Sequence, residues 1–98
     1  MEIPVADAKL YCRIDGDAED DLLRSLIQTA KDYLAGAGID DPDADDQRYA
    51  LAVKALTLHY YDYRGLTESP APSDIPGIRN LIVQLKLEAE AARAAAEV

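Results

Sequence analysis

Apolar side chains recur with helical spacing in four segments of the chain, and no segment alternates as a strand would. The segments cover about residues 4–12, 18–35, 47–64 and 76–94. The second is the clearest, because its apolar positions repeat every three or four residues along one face: Leu22, Leu23, Leu26, Ile27, Ala30, Tyr33 and Leu34. The pattern predicts an all-α protein, a single domain over residues 1–98 built as a small bundle of about four helices.

The third segment differs from the others because apolar side chains point in nearly every direction around it. A helix of this kind is central to its bundle or buried between subunits, and we expect both. The candidate oligomer or packing interface comprises Leu56, Leu58, Tyr60, Tyr61, Tyr63 and Arg64.

A long connector over residues 65–75 precedes the last helix and has no apolar period. The apolar side chains on one face of the last helix become smaller along it, from Ile78, Ile82 and Leu85 to Ala89 and Ala92. Little burial is available in either segment to offset the conformational entropy of ordering it. We therefore predict that the connector and the tail from Leu87 are mobile in an isolated subunit and become ordered by docking.

Two acidic runs raise the question of a calcium site. A calcium loop of the EF-hand type needs Gly at its sixth position and Glu at its twelfth. Counting from Asp15, these positions hold Asp20 and Leu26, and counting from Asp41 they hold Asp46 and Ala52. The spacing therefore predicts no metal site.

The same acids suit helix N-termini, where side-chain oxygens accept hydrogen bonds from free amides. We predict Asp17 as the cap of the second helix, with Asp20 as the acid three residues later. Asp45 or Asp46 is predicted to cap the third helix. Gly36 and Gly38 are predicted to end the second helix, one of them in the left-handed conformation.

The net charge of −9 excludes a surface that grips nucleic acid, which needs clustered Lys and Arg. The acidic residues are concentrated between the second and third helices. The candidate acidic surface, facing a lumen or a partner, comprises Asp40, Asp41, Asp43, Asp45 and Asp46.

Catalytic chemistry has little support in the sequence. His59 is the only histidine, with Asp62 three residues later, and this spacing suits a local hydrogen bond as well as catalysis. Cys12 is the only cysteine, so no internal disulfide forms, and it is expected to pack rather than react. The sequence indicates no cofactor and no enzyme.

No apolar run approaches the length of a membrane span, and we expect a soluble protein that stays inside the cell.

Four segments in order resemble one family. They are A-K-L-Y-C-R-I-D (Ala8 to Asp15), D-D-L-L-R-S-L-I-Q-T-A-K-D-Y-L (Asp20 to Leu34), A-L-T-L-H-Y-Y-D-Y-R (Ala55 to Arg64) and I-P-G-I-R-N-L-I (Ile75 to Ile82). Together, over about residues 3 to 85, the chain resembles the head–tail connector (adaptor) proteins of tailed bacteriophages and prophages. The alanine-rich extension from Leu87 departs from the family pattern.

The resemblance implies a structural subunit of which about a dozen copies form a ring under the portal protein. The ring extends the DNA channel and joins the head to a head-completion or tail protein below. DNA passes through without specific binding, because an acidic channel wall repels it. The expected location is the virion neck, with assembly in the host bacterial cytoplasm. The candidate portal-docking segment comprises Ile78, Leu81, Ile82 and Leu85.

A second hypothesis belongs to a different class of protein. A small acidic helical regulator, or an inhibitor that mimics DNA, would bind a basic partner through residues 40–46. A ring-sized mass in solution favours the connector, whereas a tight one-to-one complex with a basic protein favours the inhibitor.

Overall fold

In a computed structural model that describes residues 1–42, 45–62 and 76–96, the chain forms four α-helices and no strand within that range. They are α1 (Val5–Cys12), α2 (Asp20–Gly36), α3 (Gln47–Asp62) and α4 (Pro76–Ala96). The predicted all-α bundle is confirmed, and each observed boundary lies within two residues of the predicted one. The predicted connector 65–75, with Tyr63 and Arg64 before it, lies outside the described residues.

The link from α1 to α2 is organised by a lysine of α1. The chain leaves α1 through Arg13 in the left-handed conformation (φ 59°, ψ 43°). The Lys9 ammonium donates a hydrogen bond of 2.7 Å to Asp17 and lies 3.0 Å from a carboxylate oxygen of Asp20. This bridge fixes the link against the end of α1.

The predicted cap at Asp17 is wrong. Helix α2 begins at Asp20, and the residue before it, Glu19, makes no side-chain capping hydrogen bond. Asp17 is engaged by Lys9 instead, because a hydrogen bond from an ammonium to a carboxylate is stronger than one from a neutral amide. Asp20 and Asp21 still lie in the first turn, where their charges favour the positive end of the helix dipole.

The end of α2 follows the sequence prediction. Gly38 takes the left-handed conformation (φ 91°), which a residue without Cβ adopts without strain. The amides of Gly38 and Ile39 donate to the carbonyls of Ala35 and Leu34 at 3.0 and 2.9 Å. This is the Schellman pattern, and Ile39 and Leu34 are both buried, as the accompanying apolar contact requires.

Helix α3 lies at the centre of the bundle and contacts each of the other three helices. Asp46 caps it: one carboxylate oxygen accepts from the amides of Arg48 and Tyr49 at 3.0 and 3.2 Å. Asp45 and Asp46 were the two alternatives predicted for this cap, and Asp46 is confirmed. The inward side of α3 is fully buried at Tyr49, Ala52, Val53, Leu56 and Thr57, opposite the predicted apolar face of α2.

Helix α4 packs on α3 through its first half. Its buried residues are Ile78, Ile82 and Leu85, and Ala89 is half-buried. Residues 90–95 are exposed, which confirms that the stripe fades along the helix. No helix within the described ranges is long and apolar enough to cross a membrane.

Candidate functional site

An apolar groove runs along the outer face of α3. Leu51, Ala55 and Leu58 are spaced by four and three residues, so they share one side of the helix. That side points away from the buried residues Val53 and Leu56, and Leu51 remains 43% exposed. An apolar strip on the outward side of a helix is unusual for a protein that acts alone.

The end of α1 and the start of α4 form the two walls of this groove. Tyr11 lies on one side, and Gly77, Ile78 and Leu81 lie on the other. The groove encloses about 440 Å³, a volume in the range of ligand-binding pockets. Among the described residues of its lining, the polar ones besides Tyr11 are His59 and Asp62, so the described part of the groove is suited to an apolar occupant.

His59 lies at the groove, and the Cys12 thiol lies near it. His59 is buried, and its ring packs edge-on against Tyr60 with centroids 5.5 Å apart. Near the groove, burial and the Asp62 charge both raise the pKa of the Cys12 thiol, which lowers its thiolate content at neutral pH. The described residues include no group of three or more metal-ligating side chains.

The acidic segment after α2 is tied to the body of the protein. Asp41 accepts hydrogen bonds from Lys31 at 3.2 Å and from the Met1 ammonium, which also donates to the Pro42 carbonyl at 2.8 Å. Burial alone would raise the pKa of Asp41, but these two cations outweigh it and hold the pKa below its usual value. Asp41 is therefore occupied by internal partners.

The other acidic residues of this segment differ in their contacts with the rest of the protein. Asp46 caps α3, and Asp40 lies 4.0 Å from the Arg93 guanidinium of α4. Asp45 is exposed, and Asp43 lies outside the described residues. A surface that mimics DNA needs free carboxylates, so the internal partners of Asp41 and Asp46 count against the acidic-inhibitor hypothesis.

The family model for phage gp6-like head-tail connector proteins matches residues 2–86. The chain belongs to this family. No curated protein and no solved structure matches the chain at a significant level. The resemblance drawn from the four sequence segments is thereby confirmed, and the protein is a connector of the junction between phage head and tail.

The predicted interface residues of this connector fall into different environments. Leu56 is fully buried in the core, and Leu58 lines the groove. Tyr60 is half-buried, and burial raises the pKa of its hydroxyl. The Tyr61 hydroxyl donates to Glu19 at 2.6 Å, so it joins α3 to the start of α2. Of the four members of this set that the structure describes, Leu58 alone lines the groove.

The predicted portal-docking residues of the connector face its own bundle. Ile78, Ile82 and Leu85 are buried, and Leu81 is half-buried at the wall of the groove. Their contacts with α3 hold α4 on the bundle.

Sequence reasoning missed Tyr11, Leu51 and Ala55 as members of an exposed groove. The spacing of Leu51, Ala55 and Leu58 signals a shared helix face. It does not reveal that α1 and α4 leave this face uncovered, which depends on how the helices pack.

Proposed function

We propose that this connector is the repeating subunit of a ring beneath the portal protein, which extends the DNA channel and joins the head to the tail. About a dozen copies form the ring. The observation that carries the proposal is the family match over residues 2–86 together with an apolar groove on the outer face of the central helix. In this role the protein is structural and has no enzymatic activity.

The groove supports self-assembly because leaving it in water is costly. Burying apolar surface gains about 25 cal/mol per Å², and Leu51 and Tyr11 are both more than one third exposed. A contact between neighbouring subunits would bury them. The partners are therefore other copies of the chain, the portal protein above and a head-completion or tail protein below.

The charge of the chain supports passage of DNA without adhesion. Each copy has a net charge of −9, so a ring of copies concentrates negative charge around a narrow channel. Like charges repel, and low-dielectric walls focus the field within a pore. Exposed carboxylates such as Asp40 and Asp45 are suited to the channel wall.

Helix α4 is the segment proposed to meet the portal. Ile78, Ile82 and Leu85 are buried against the bundle, so they position α4 for the portal, and the groove wall at Ile78 and Leu81 stays in place. The second half of α4 is held by exposed contacts of Arg48 with Glu88 and of Arg93 with Gly38 and Asp40. Exposed ion pairs are weak in water, so this half of α4 can adjust when the portal docks.

Deletion of the gene in its phage, followed by electron microscopy of the lysate, tests the proposed function. We expect separate heads and tails, and we expect the wild-type gene supplied in trans to restore joined particles. Joined, infectious particles at the normal level in the deletion strain would contradict a connector role.

A further inference from the structure

The structure carries a second apolar surface, on the opposite side of α4 from its buried stripe. Val83 and Leu87 are 49% and 60% exposed, and they are four residues apart. The next position in this series, Ala91, is also exposed. At about 100° per residue, this series lies roughly opposite Ile78, Ile82 and Leu85. We name Val83, Leu87 and Ala91 the α4 ridge.

The α4 ridge and the groove are different surfaces with complementary shapes. The groove is concave and is lined by Leu51, Ala55 and Leu58, whereas the ridge is a convex row of aliphatic side chains. A volume of about 440 Å³ exceeds that of one Val and one Leu side chain together. The two surfaces also point in different directions, so one copy cannot bring its own ridge into its own groove without unpacking α4.

Charge favours the same pairing. Asp62 is exposed at the groove, and Lys86 and Glu90 are both exposed beside the ridge, so Lys86 is the one that complements the charge of the groove. Neither Asp62 nor Lys86 forms an ion pair with another residue in the part of the chain that the structure describes. Two copies with net charges of −9 repel each other, so the surfaces that meet should be apolar and carry opposite local charges.

We propose that the α4 ridge of one copy inserts into the groove of a second copy of this chain. This inference rests on the proposed self-assembly and adds which two surfaces form each joint. An interface between two different surfaces is heterologous, and it generates a closed ring when the rotation between subunits closes. Every subunit then buries its groove and its ridge, whereas a single partner at the groove would leave the ridge in water.

Three leucine-to-lysine variants test the pairing. Leu87→Lys disables the ridge, Leu51→Lys disables the groove, and Leu10→Lys is the matched control. Leu10 is 79% exposed and belongs to neither surface. Each substitution makes the net charge of −9 less negative by one, so weaker association cannot be attributed to greater repulsion. All three positions are exposed, and circular dichroism should show unchanged helix content.

Sedimentation velocity and native mass spectrometry measure the outcome. We expect wild type and Leu10→Lys to associate with rising concentration, and we expect each of the other two variants to associate about 10- to 100-fold more weakly. A one-to-one mixture of Leu51→Lys and Leu87→Lys should form heterodimers. One variant retains a working ridge and the other a working groove, which allows one joint and no further growth.

The outcomes separate this inference from the proposed function. Self-association by wild type, with either variant associating equally well, would overturn the pairing and leave self-assembly intact. Failure of the mixture to form heterodimers would also overturn the pairing, because it indicates an interface other than ridge to groove. A wild-type chain that stays monomeric at the highest attainable concentration would overturn the proposed self-assembly and the pairing with it.

Discussion

The body formed by α1 to α3 and the helix α4 bury their apolar side chains to different extents. In the body, Leu23, Leu34, Tyr49, Val53 and Leu56 are at most 1% exposed. In α4 the deepest side chains, Ile78, Ile82 and Leu85, are 5–9% exposed, and beyond them only Ala89 is half-buried. A space of about 380 Å³ lies between the second half of α4 and the segment that follows α2, although Arg93 contacts Gly38 across it.

This difference coincides with the limit of the family match. The match ends at residue 86, one position after Leu85, the last buried side chain. Residues 87–96 continue the same helix, and of residues 87–95 only Ala89 is half-buried. Short helices without packing are marginal in water, so the order of this segment in isolation rests on helix propensity and exposed ion pairs. Among the described helices, this extension is the segment most open to a neighbour.

Hydrogen exchange gives the largest expected difference between the two regions. Amides of α2 and α3 in the core should exchange only through global unfolding, which costs about 5 kcal/mol or more. Amides of residues 87–96 should open locally and exchange about a thousandfold faster or more in the isolated subunit. In the assembled neck they should slow markedly. Strong protection of these amides in a dilute monomer would show that α4 is held by its own bundle.

A matched pair of leucine truncations gives the next largest effect. Leu56→Ala removes a fully buried side chain from the centre of α3 and should cost about 2–5 kcal/mol in the free energy of unfolding. Leu85→Ala should cost less, because α4 has open space beside it and can shift to close the gap. Urea unfolding followed by circular dichroism measures both values. Equal costs would mean that α4 is packed as firmly as α3.

The sequence was sufficient wherever local rules decide the structure. The buried face of α2, the fading stripe of α4 and the cap at Asp46 follow from spacing and side-chain chemistry within a few residues. The prediction that Asp17 caps α2 is wrong for a reason that no local pattern contains, because Asp17 instead accepts a hydrogen bond from Lys9 of another helix. The Tyr61–Glu19 hydrogen bond and the groove depend likewise on how distant segments meet, which no local pattern contains.

Acid should weaken a contact of the body that involves Asp41. Lys31 and the Met1 ammonium hold the pKa of this carboxylate below its unfolded value of about 3.9. Its contribution to stability is therefore present above about pH 4 and is lost as the pH falls through the folded pKa. Asp41→Asn should show a smaller decline in stability than wild type between about pH 5 and 2.

Asp45→Asn is the control for the acid experiment, because Asp45 is exposed and is neither hydrogen-bonded nor ion-paired to another described residue. Unfolding with urea at a series of pH values measures the decline for all three proteins. Identical slopes for wild type and Asp41→Asn would show that the contacts of Asp41 contribute nothing to folding. A reduced slope in Asp45→Asn would assign the acid sensitivity to the whole segment.

The smallest expected effect concerns the ion pair between Arg48 of α3 and Glu88 of α4. The side chains of Arg48 and Glu88 are 43% and 47% exposed, so water screens their attraction. A double-mutant cycle with Arg48→Met and Glu88→Gln should give a coupling energy close to the limit of measurement at ordinary salt. Because Glu88 lies beyond the last buried residue, the same variants should nevertheless speed hydrogen exchange in residues 87–96 while leaving α2 unchanged. A large coupling energy would be typical of a desolvated pair. It would mean that the second half of α4 is fixed to the body before any neighbour binds. The body and the second half of α4 would then differ in how deeply their side chains are buried, but not in local stability.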